Sequence, residues 1–402
     1  MSTNIKEFKI CVIGLGYVGL PLIVEINKKY KSIGFDIDEE RIKELRAGYD
    51  RTNELTKDII DANKLSLTSS KTEIKDCNIY IVTVPTPVDK NKKPNLVPLI
   101  SASTLVGGLI EKGNVVIYES TVFPGCTEDV CVPVLEAESK LTFNKDFFCG
   151  YSPERINPGD KKHKLKDITK IVAFKNNKRI SIIKKVYKEL GKNIVYTSKI
   201  KESETAKVVE NIQRDINIAF INEIFMFCKK SRIDFKEVIN LAKTKWNFMD
   251  FNPGLVGGHC LPVDPYYFAE VAKKYGQNVK VTLAGRSINN GMVSFITKLI
   301  LKDINKIKNK KPKILISGLT YKPNVPDTRN SLAIEIFNNI KQKHFTQGYD
   351  PIVNKNDRKR LKLIDKIKIS KYDKVYVLTE HNIFKKREYL NKDKISFVFK
   401  DL

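Results

Sequence analysis

The chain has 402 residues, 42% apolar and 29% charged, values that suit a folded protein of two or three domains and exclude disordered, collagen-like and disulfide-stapled classes. Lys and Arg number 72 against 46 Asp and Glu, a formal net charge of +26, yet 60 of the basic residues are Lys and only 12 are Arg. Arg is the planar, bidentate reader of phosphate and guanine, so the surplus reads as a solvated lysine surface with no specific nucleic-acid partner.

The first element is Phe8-Lys-Ile-Cys-Val-Ile13, a short apolar run entering Gly14-Leu-Gly16-Tyr17-Val18-Gly19 and then a helix-length stretch. This is the opening of a βαβ unit. The uncharged run Ile10–Val24 is 15 residues and holds three glycines, too short to span a bilayer; no cleavage site follows, and the chain reads as cytoplasmic without membrane insertion. A second strand, Ser32–Asp36, closes the unit and puts Asp36 22 residues after Gly14. Strand-like runs at Ile79–Val84, Val115–Tyr118 and Ile171–Phe174 continue the alternation to about residue 196, which predicts a parallel, doubly wound sheet. Lys201–Ser231 lacks Gly and Pro and predicts one long helix. A second helix runs from Phe235 to about Lys245, an irregular Gly/Pro stretch covers Asn252–Pro265, and more helix reaches about Ile307. Beyond the basic hinge Lys308–Lys313, strands are expected at Ile314–Gly318, ending near Gly348–Pro351, and at Lys374–Thr379. The fold class is therefore α/β: two doubly wound Rossmann-like domains joined by a central all-helical domain. The predicted boundaries are 1–200, 201–307 and 308–402.

Gly14, Gly16 and Gly19 lie where a dinucleotide fingerprint needs them: for the tight turn, for close approach to a pyrophosphate, and for helix–strand packing. Asp36 at the end of the second strand suits a ribose 2′-OH and repels a 2′-phosphate, which favours NAD over NADP. On the long helix Glu204, Lys207, Asn211, Asp215 and Asn222 share one face. That stripe fits either a polar helix–helix seam or solvated face, or a Lys207–Asn211 pair directed into an active site. Gly257-Gly-His-Cys260 with Asp264 fits either an inert buried thiol or a nucleophile on a flexible loop. Neither the other six cysteines nor the four histidines suggest a disulfide framework or a metal site.

The ordered set Gly14–Pro21, Glu119-Ser-Thr-Val-Phe-Pro-Gly125, Ser152-Pro-Glu-Arg155, Gly257–Cys260 and Lys322–Arg329 resembles the nucleotide-sugar 6-dehydrogenase family, which includes UDP-glucose, UDP-N-acetylhexosamine and GDP-mannose dehydrogenases. The resemblance spans essentially the whole chain. It implies an NAD domain, a helical dimer-forming centre carrying the Cys loop, a C-terminal UDP-sugar domain, and a homodimer. It further implies oxidation of the sugar C6 alcohol to a carboxylate with two NAD+ in succession. On that resemblance Cys260 attacks the C6 aldehyde and passes through a thioester, while Lys207 and Asn211 stabilise the oxyanion. Glu154 is the general base, and Thr121 and Asp264 hold the hydrolytic water. The implied cofactor set is Gly14, Gly16, Tyr17, Val18, Gly19, Asp36, Arg41, Thr86, Thr121, Lys322 and Arg329. The implied substrate set is Glu154, Arg155, Lys207, Asn211, Gly257 and Lys322, and no metal is expected.

Arg155 and Pro158 stand where glucose-type relatives carry Phe and an acid, so Ser152–Asp160 resembles the branch acting on UDP-N-acetylhexosamines for capsule or O-antigen synthesis. Departures from that branch occur at Cys126, Asn252 and Leu261-Pro262, which leaves the sugar contacts, and the choice between GlcNAc and GalNAc, open. Two alternatives stand beside this reading: a UDP-glucose 6-dehydrogenase, and a non-catalytic Rossmann protein that binds polyanions.

Overall fold

The structure, a computed structural model, describes residues 8–89, 92–155, 167–176, 179–191, 193–385 and 393–401. The chain divides into two units, Met1–Glu210 with Tyr266–Tyr275, and Asn211–Pro265 with Gly276–Leu402.

In the first unit an eight-stranded sheet is described. Its strands are β1 (Lys9–Ile13), β2 (Lys31–Phe35), β3 (Ser66–Thr68), β4 (Ile79–Val82), β5 (Val115–Tyr118), β6 (Phe148–Tyr151), β7 (Lys170–Phe174) and β8 (Ile194–Thr197). Their order is β3-β2-β1-β4-β5-β6-β7-β8, whose first six places follow the dinucleotide-binding pattern. The helices are α1 (Gly19–Asn27), α2 (Glu39–Arg46), α3 (Lys57–Asn63), α4 (Val97–Gly107), α5 (Val132–Ser139) and α6 (Ile180–Lys188). Central strands read as continuous apolar runs because both faces are covered: Ile10, Val12, Ile79, Ile81, Val115 and Ile117 join Leu20, Ile23, Ile26, Val186 and Tyr187 in one core.

One strand pair departs from the parallel expectation: β6 and β7 run antiparallel. Gly150 permits their close approach, since a Cβ there would lie 2.7 Å from the Phe174 ring and 2.8 Å from the Ala173 carbonyl oxygen. The expected strand Ile79–Val84 also stops at Val82, because the Thr83 hydroxyl turns to donate to the carbonyls of Ile13 and Gly14 at 3.0 and 2.6 Å.

The helical centre comprises α7 (Ile200–Ser231), α8 (Phe235–Ala242), α9 (Asp264–Lys274) and α10 (Lys280–Ile304). Helix α7 belongs to the first unit through Glu210 and to the second from Asn211. In the second unit β9 (Ile314–Ser317), β10 (Thr346–Tyr349), β11 (Lys374–Val377) and β12 (Ile395–Phe397) form a parallel sheet of order β10-β9-β11-β12. It is accompanied by α11 (Leu332–Lys341), α12 (Lys355–Leu361) and α13 (Val398–Asp401). Period-two alternation sorts its side chains. Ile314 and Ile316 face a core shared with Met292, Ile296 and Ile300 of α10, whereas Leu315, Val375 and Val377 pack with Phe384 and Ile395. The C-terminal sheet and α10 therefore share one core, which gives the helix its apolar cover.

Candidate active site

At the end of β1, Gly14 has φ +91° and its N–H donates to the Phe35 carbonyl at 2.8 Å; a Cβ would meet the Thr83 backbone at 3.3 Å. Gly19 packs closer still, its Cβ position 1.9 Å from the Gly14 oxygen, while a Cβ on Gly16 would meet nothing within 4 Å. The turn thus needs glycine for packing at both ends and stays open in its middle, where a pyrophosphate backbone would approach. Asp36 binds the same turn: one carboxylate oxygen accepts the Leu15 N–H at 2.7 Å and the other the Asp38 N–H at 3.0 Å. Val18 leads into the nine-residue α1, with Tyr17 half-buried before it. These residues fit an NAD pyrophosphate and ribose.

Arg41 lies against the same turn. It is 3% exposed, and its guanidinium donates to the Leu15 carbonyl at 2.9 Å and to Asp50 at 2.7 Å, so it braces the glycine turn from behind. Thr86 and Thr121 are brought together: the Thr86 hydroxyl donates to the Thr121 carbonyl at 2.5 Å. The Tyr267 hydroxyl then ties the Thr86 and Pro87 carbonyls at 3.0 and 3.2 Å.

Glu154 follows β6 and is buried, with one oxygen accepting the Arg155 N–H at 2.6 Å. Its other oxygen lies 3.9 Å from the Lys170 ammonium, which bonds Glu119 at 2.8 Å. Glu119 also accepts the Tyr187 hydroxyl proton at 2.6 Å. Burial pushes the Glu119 carboxyl up from its ordinary range, against the pull of Lys170. The Arg155 guanidinium is engaged by the Thr169 carbonyl at 3.0 Å and by the Glu210 carboxylate of α7. The remainder of the Ser152–Asp160 stretch, 156–160, lies outside the described residues.

The polar stripe of α7 divides by role. Glu204 is fully buried and accepts the N–H groups of Gly125 and Thr127 at 2.5 and 2.9 Å, which fixes the loop after Thr121; burial pushes its carboxyl up to about 7. Lys207 is 7% exposed and forms no hydrogen bond or ion pair with protein among the described residues. Asn211, one turn further on, donates to Asp264 at 2.5 Å. Asp215 bonds Arg286 at 2.7 Å and Asn289 at 2.8 Å on α10, and Asn222 exchanges two bonds with the Gly254 backbone at 2.9 and 3.0 Å. Asp215 and Asn222 therefore belong to a helix–helix seam.

Cys260 is half-buried, and its carbonyl accepts the N–H groups of Val263 and Asp264 at 3.0 and 2.9 Å, starting α9. The preceding glycines are required by contact. A Cβ on Gly257 would stand 2.6 Å from the Asn330 oxygen, and one on Gly258, at φ +87°, would stand 2.7 Å from the Tyr321 ring. Asn330 returns a bond to the Gly258 carbonyl at 2.9 Å. The Cys loop is thus stacked on the loop that carries Lys322 and Arg329. Arg329 forms a bidentate pair with Asp327, its closest approach 2.6 Å, and Lys322 is half-buried with its carbonyl accepting the Thr320 hydroxyl proton at 3.0 Å. Asp350 holds this loop through the Leu319 and Thr320 N–H groups at 2.6 and 3.1 Å and His381 at 3.0 Å. Burial opposes its ionisation, but His381 and these donors hold the carboxyl below the usual range.

Sequence reasoning missed Glu119, Lys170 and Tyr187 beneath Glu154, and Asp350 with His381. A signal did exist for Asp350, because Gly318, Leu319 and Asp350 repeat the Gly14, Leu15 and Asp36 arrangement: Gly318 has φ +76° and donates to Tyr349 at 3.0 Å. Among the described residues no helix is long and apolar enough to cross a membrane, and no His/Cys/Asp/Glu group is suited to a metal ion.

The NAD binding, central and UDP binding domains of the UDP-glucose/GDP-mannose dehydrogenase family match residues 8–191, 201–291 and 315–400. The UDP-N-acetyl-D-glucosamine 6-dehydrogenase of Pseudomonas aeruginosa is 46% identical, over 88% of this chain and 85% of its own. That of Salmonella typhi is 43% identical, over 95% and 92%. Among solved structures, the UDP-D-ManNAc dehydrogenase of Pyrococcus horikoshii superposes with TM-score 0.83 at 31% identity, covering 94% of this chain and 90% of that one. Three family domains in order, with near full-length relatives above 40% identity, establish that the chain belongs to the UDP-glucose/GDP-mannose dehydrogenase family.

Proposed function

We propose that the chain oxidises C6 of a UDP-N-acetylhexosamine, UDP-GlcNAc first, to the uronate, with bound NAD+ accepting a hydride at each of two oxidations. The carrying observation is the hydrogen bond between Asn211 and Asp264, whose helix begins at the Cys260 carbonyl. The amide and the carboxylate meet at the start of the helix that follows Cys260, which supports reading the three as the amide, carboxylate and thiol that acyl chemistry needs. The Cys260 thiolate adds to the C6 aldehyde, and after the second hydride leaves, the product is a thioester. Asn211 donates to the oxyanion of each tetrahedral stage, and Lys207, a buried cation with no ion pair among the described residues, supplies charge of the opposite sign. Glu154 accepts the proton released as each oxidation or hydrolysis proceeds, and Thr121 with Asp264 orients the hydrolytic water.

The same reading gives 1–200 to NAD, 201–307 to dimerisation and the Cys loop, and 308–402 to the UDP-sugar. Lys322 and Arg329 then serve phosphate recognition, with Asp327 orienting Arg329. Arg41 supports the NAD turn without touching the phosphate. Arg155, engaged by Glu210 and Thr169, shapes the sugar subsite by holding the segment after Glu154. Exposed Phe220, Phe227, Leu241 and Trp246, the last 89% exposed, support a second copy of the chain as partner through the helical region. The product is destined for capsule or O-antigen polysaccharide, and the location is the cytoplasm.

The identity of the most similar relatives favours the acetamido sugar. Steady-state NADH formation across UDP-GlcNAc, UDP-GalNAc, UDP-ManNAc and UDP-glucose tests this. An acetamido sugar should exceed UDP-glucose in kcat/KM by about tenfold, the worth of about 1.4 kcal/mol of contact. Equal efficiency for UDP-glucose would overturn the sugar assignment.

A further inference from the structure

The residues that lead into Cys260 lie against the loop between β9 and α11. A Cβ on Gly257 would stand 2.6 Å from the Asn330 oxygen and 2.9 Å from the Tyr321 Cβ. Gly258 is buried and held through both of its backbone groups. Its N–H donates to the Arg329 carbonyl at 3.2 Å, and its carbonyl accepts the Asn330 side-chain amide at 2.9 Å. His259 meets the Tyr321 ring edge-on, centroids 6.4 Å apart, with its Nδ1 3.9 Å from Asp327. The β9–α11 loop is itself fixed to its sheet: Asp350 accepts the Leu319 and Thr320 N–H groups, and the Ser331 hydroxyl donates to the Leu319 carbonyl at 2.7 Å. The Cys loop therefore takes its position from the β9–α11 loop, and the Asn330 amide is a side-chain bond that joins the two.

Asn330 follows Arg329, whose half-exposed guanidinium pairs with Asp327 and whose carbonyl receives the Gly258 N–H. The Asn330 backbone is left-handed, φ +49°, a conformation that Asn adopts more readily than most residues, and from it the amide reaches the Gly258 carbonyl. The backbone that presents Arg329 to a ligand is thus the backbone that holds Gly258, two residues before the thiol. We propose that Asn330 is a positioning residue that couples the two places. A nucleoside diphosphate seated on Lys322 and Arg329 steadies the β9–α11 loop, and the Asn330 bond to Gly258 passes that steadying to Cys260. This rests on the reading of Lys322 and Arg329 as phosphate ligands. It has a consequence that packing two loops for stability does not: the reactivity of the thiol depends on whether the diphosphate is bound. The size of the effect is bounded by the worth of one joining hydrogen bond, a factor of about three to ten.

The test is alkylation of Cys260 by iodoacetamide in the full chain, read by peptide mass mapping, with and without UDP at concentrations that calorimetry shows to be saturating. UDP lacks the sugar, so it occupies the phosphate ligands and leaves the place of C6 open. A half-buried thiol reacts when its loop opens, so UDP should slow alkylation of the native protein by about three- to tenfold. Asn330→Gly keeps the left-handed backbone without steric cost, removes the amide, and alters an exposed position, so the fold is retained. In that variant the slowing by UDP should fall below about twofold, and kcat for UDP-GlcNAc should drop about three- to tenfold with KM for NAD+ unchanged. Native alkylation that UDP does not slow overturns the proposal, and so does a native kcat in Asn330→Gly. Slowing of the same size in native protein and Asn330→Gly is shielding by UDP itself and also overturns it. Arg329→Gln separates this from the reading it rests on. If that variant binds UDP with native affinity, the phosphate assignment is wrong; if it binds weakly while Asn330→Gly keeps the native slowing, only the role of Asn330 fails.

Discussion

Glu204 is a carboxylate whose pH dependence can be worked from its surroundings. It is fully buried, accepts the Gly125 and Thr127 N–H groups, and is held at about 7 against an ordinary 4.5, chiefly because burial disfavours its charge. Because the folded value lies above the unfolded one, its contribution to stability is complete below the unfolded value and is lost as pH rises through the folded one. A gap of that size is worth about 3 kcal/mol, of which roughly 2–3 kcal/mol falls between about pH 5 and 8. Glu204→Gln removes the titration but leaves one of the Gly125 and Thr127 N–H groups facing an amide NH2, at a cost of about 1–3 kcal/mol that does not vary with pH. The variant should therefore melt below the native protein at acidic pH and gain on it as pH rises. For a domain of about 200 residues the difference in Tm should close by about 4–12 °C across that range. Paired thermal melts at several pH values measure it. A Tm difference that stays constant with pH would refute the assignment of a burial-raised carboxyl at Glu204.

Three further outcomes follow from named contacts. Arg286→Leu strands the buried Asp215 without its cation and should destabilise the second unit by about 3–5 kcal/mol in urea unfolding, far more than Asn290→Ala beside it. Asp36→Ala should raise KM for NAD+ and relax discrimination against NADP+; because the carboxylate also receives the Leu15 N–H, both constants should worsen for NAD+, and an unchanged cofactor ratio would count against the ribose role. Cys260→Ser should lose most uronate formation while still binding UDP-GlcNAc in calorimetry, since an oxygen ester forms and hydrolyses poorly, and native turnover in this variant would remove the nucleophile from the account.

The glycine turn and its carboxylate could be read from the sequence because their physics is local: a strand, a residue with positive φ, and an acid one strand later leave a fixed spacing. The long helix was equally plain from the absence of Gly and Pro, and its ends were placed within one residue at Ile200 and Ser231. The roles within its polar stripe were not legible, since Asp215 and Asn222 meet partners on α10 some seventy residues away, while Glu204 meets the loop at Gly125. Lys170 is one of sixty lysines, and only the fold sets it against Glu119, 51 residues earlier. Arg155 read as a substrate residue on resemblance, and its partner Glu210 on α7 lies 55 residues on. The antiparallel step at β7 escaped because an apolar strand buried on both faces carries no mark of its direction.

The central claim is a four-electron oxidation completed on one chain, and its most direct measurement is the stoichiometry of NADH against UDP-GlcNAc with mass analysis of the product. With NAD+ in excess and limiting sugar, the account predicts two NADH for each UDP-GlcNAc consumed and a UDP-N-acetylglucosaminuronate as the sole sugar product. One NADH per sugar with an aldehyde released, or no NADH from UDP-GlcNAc while UDP-glucose yields it, would contradict it.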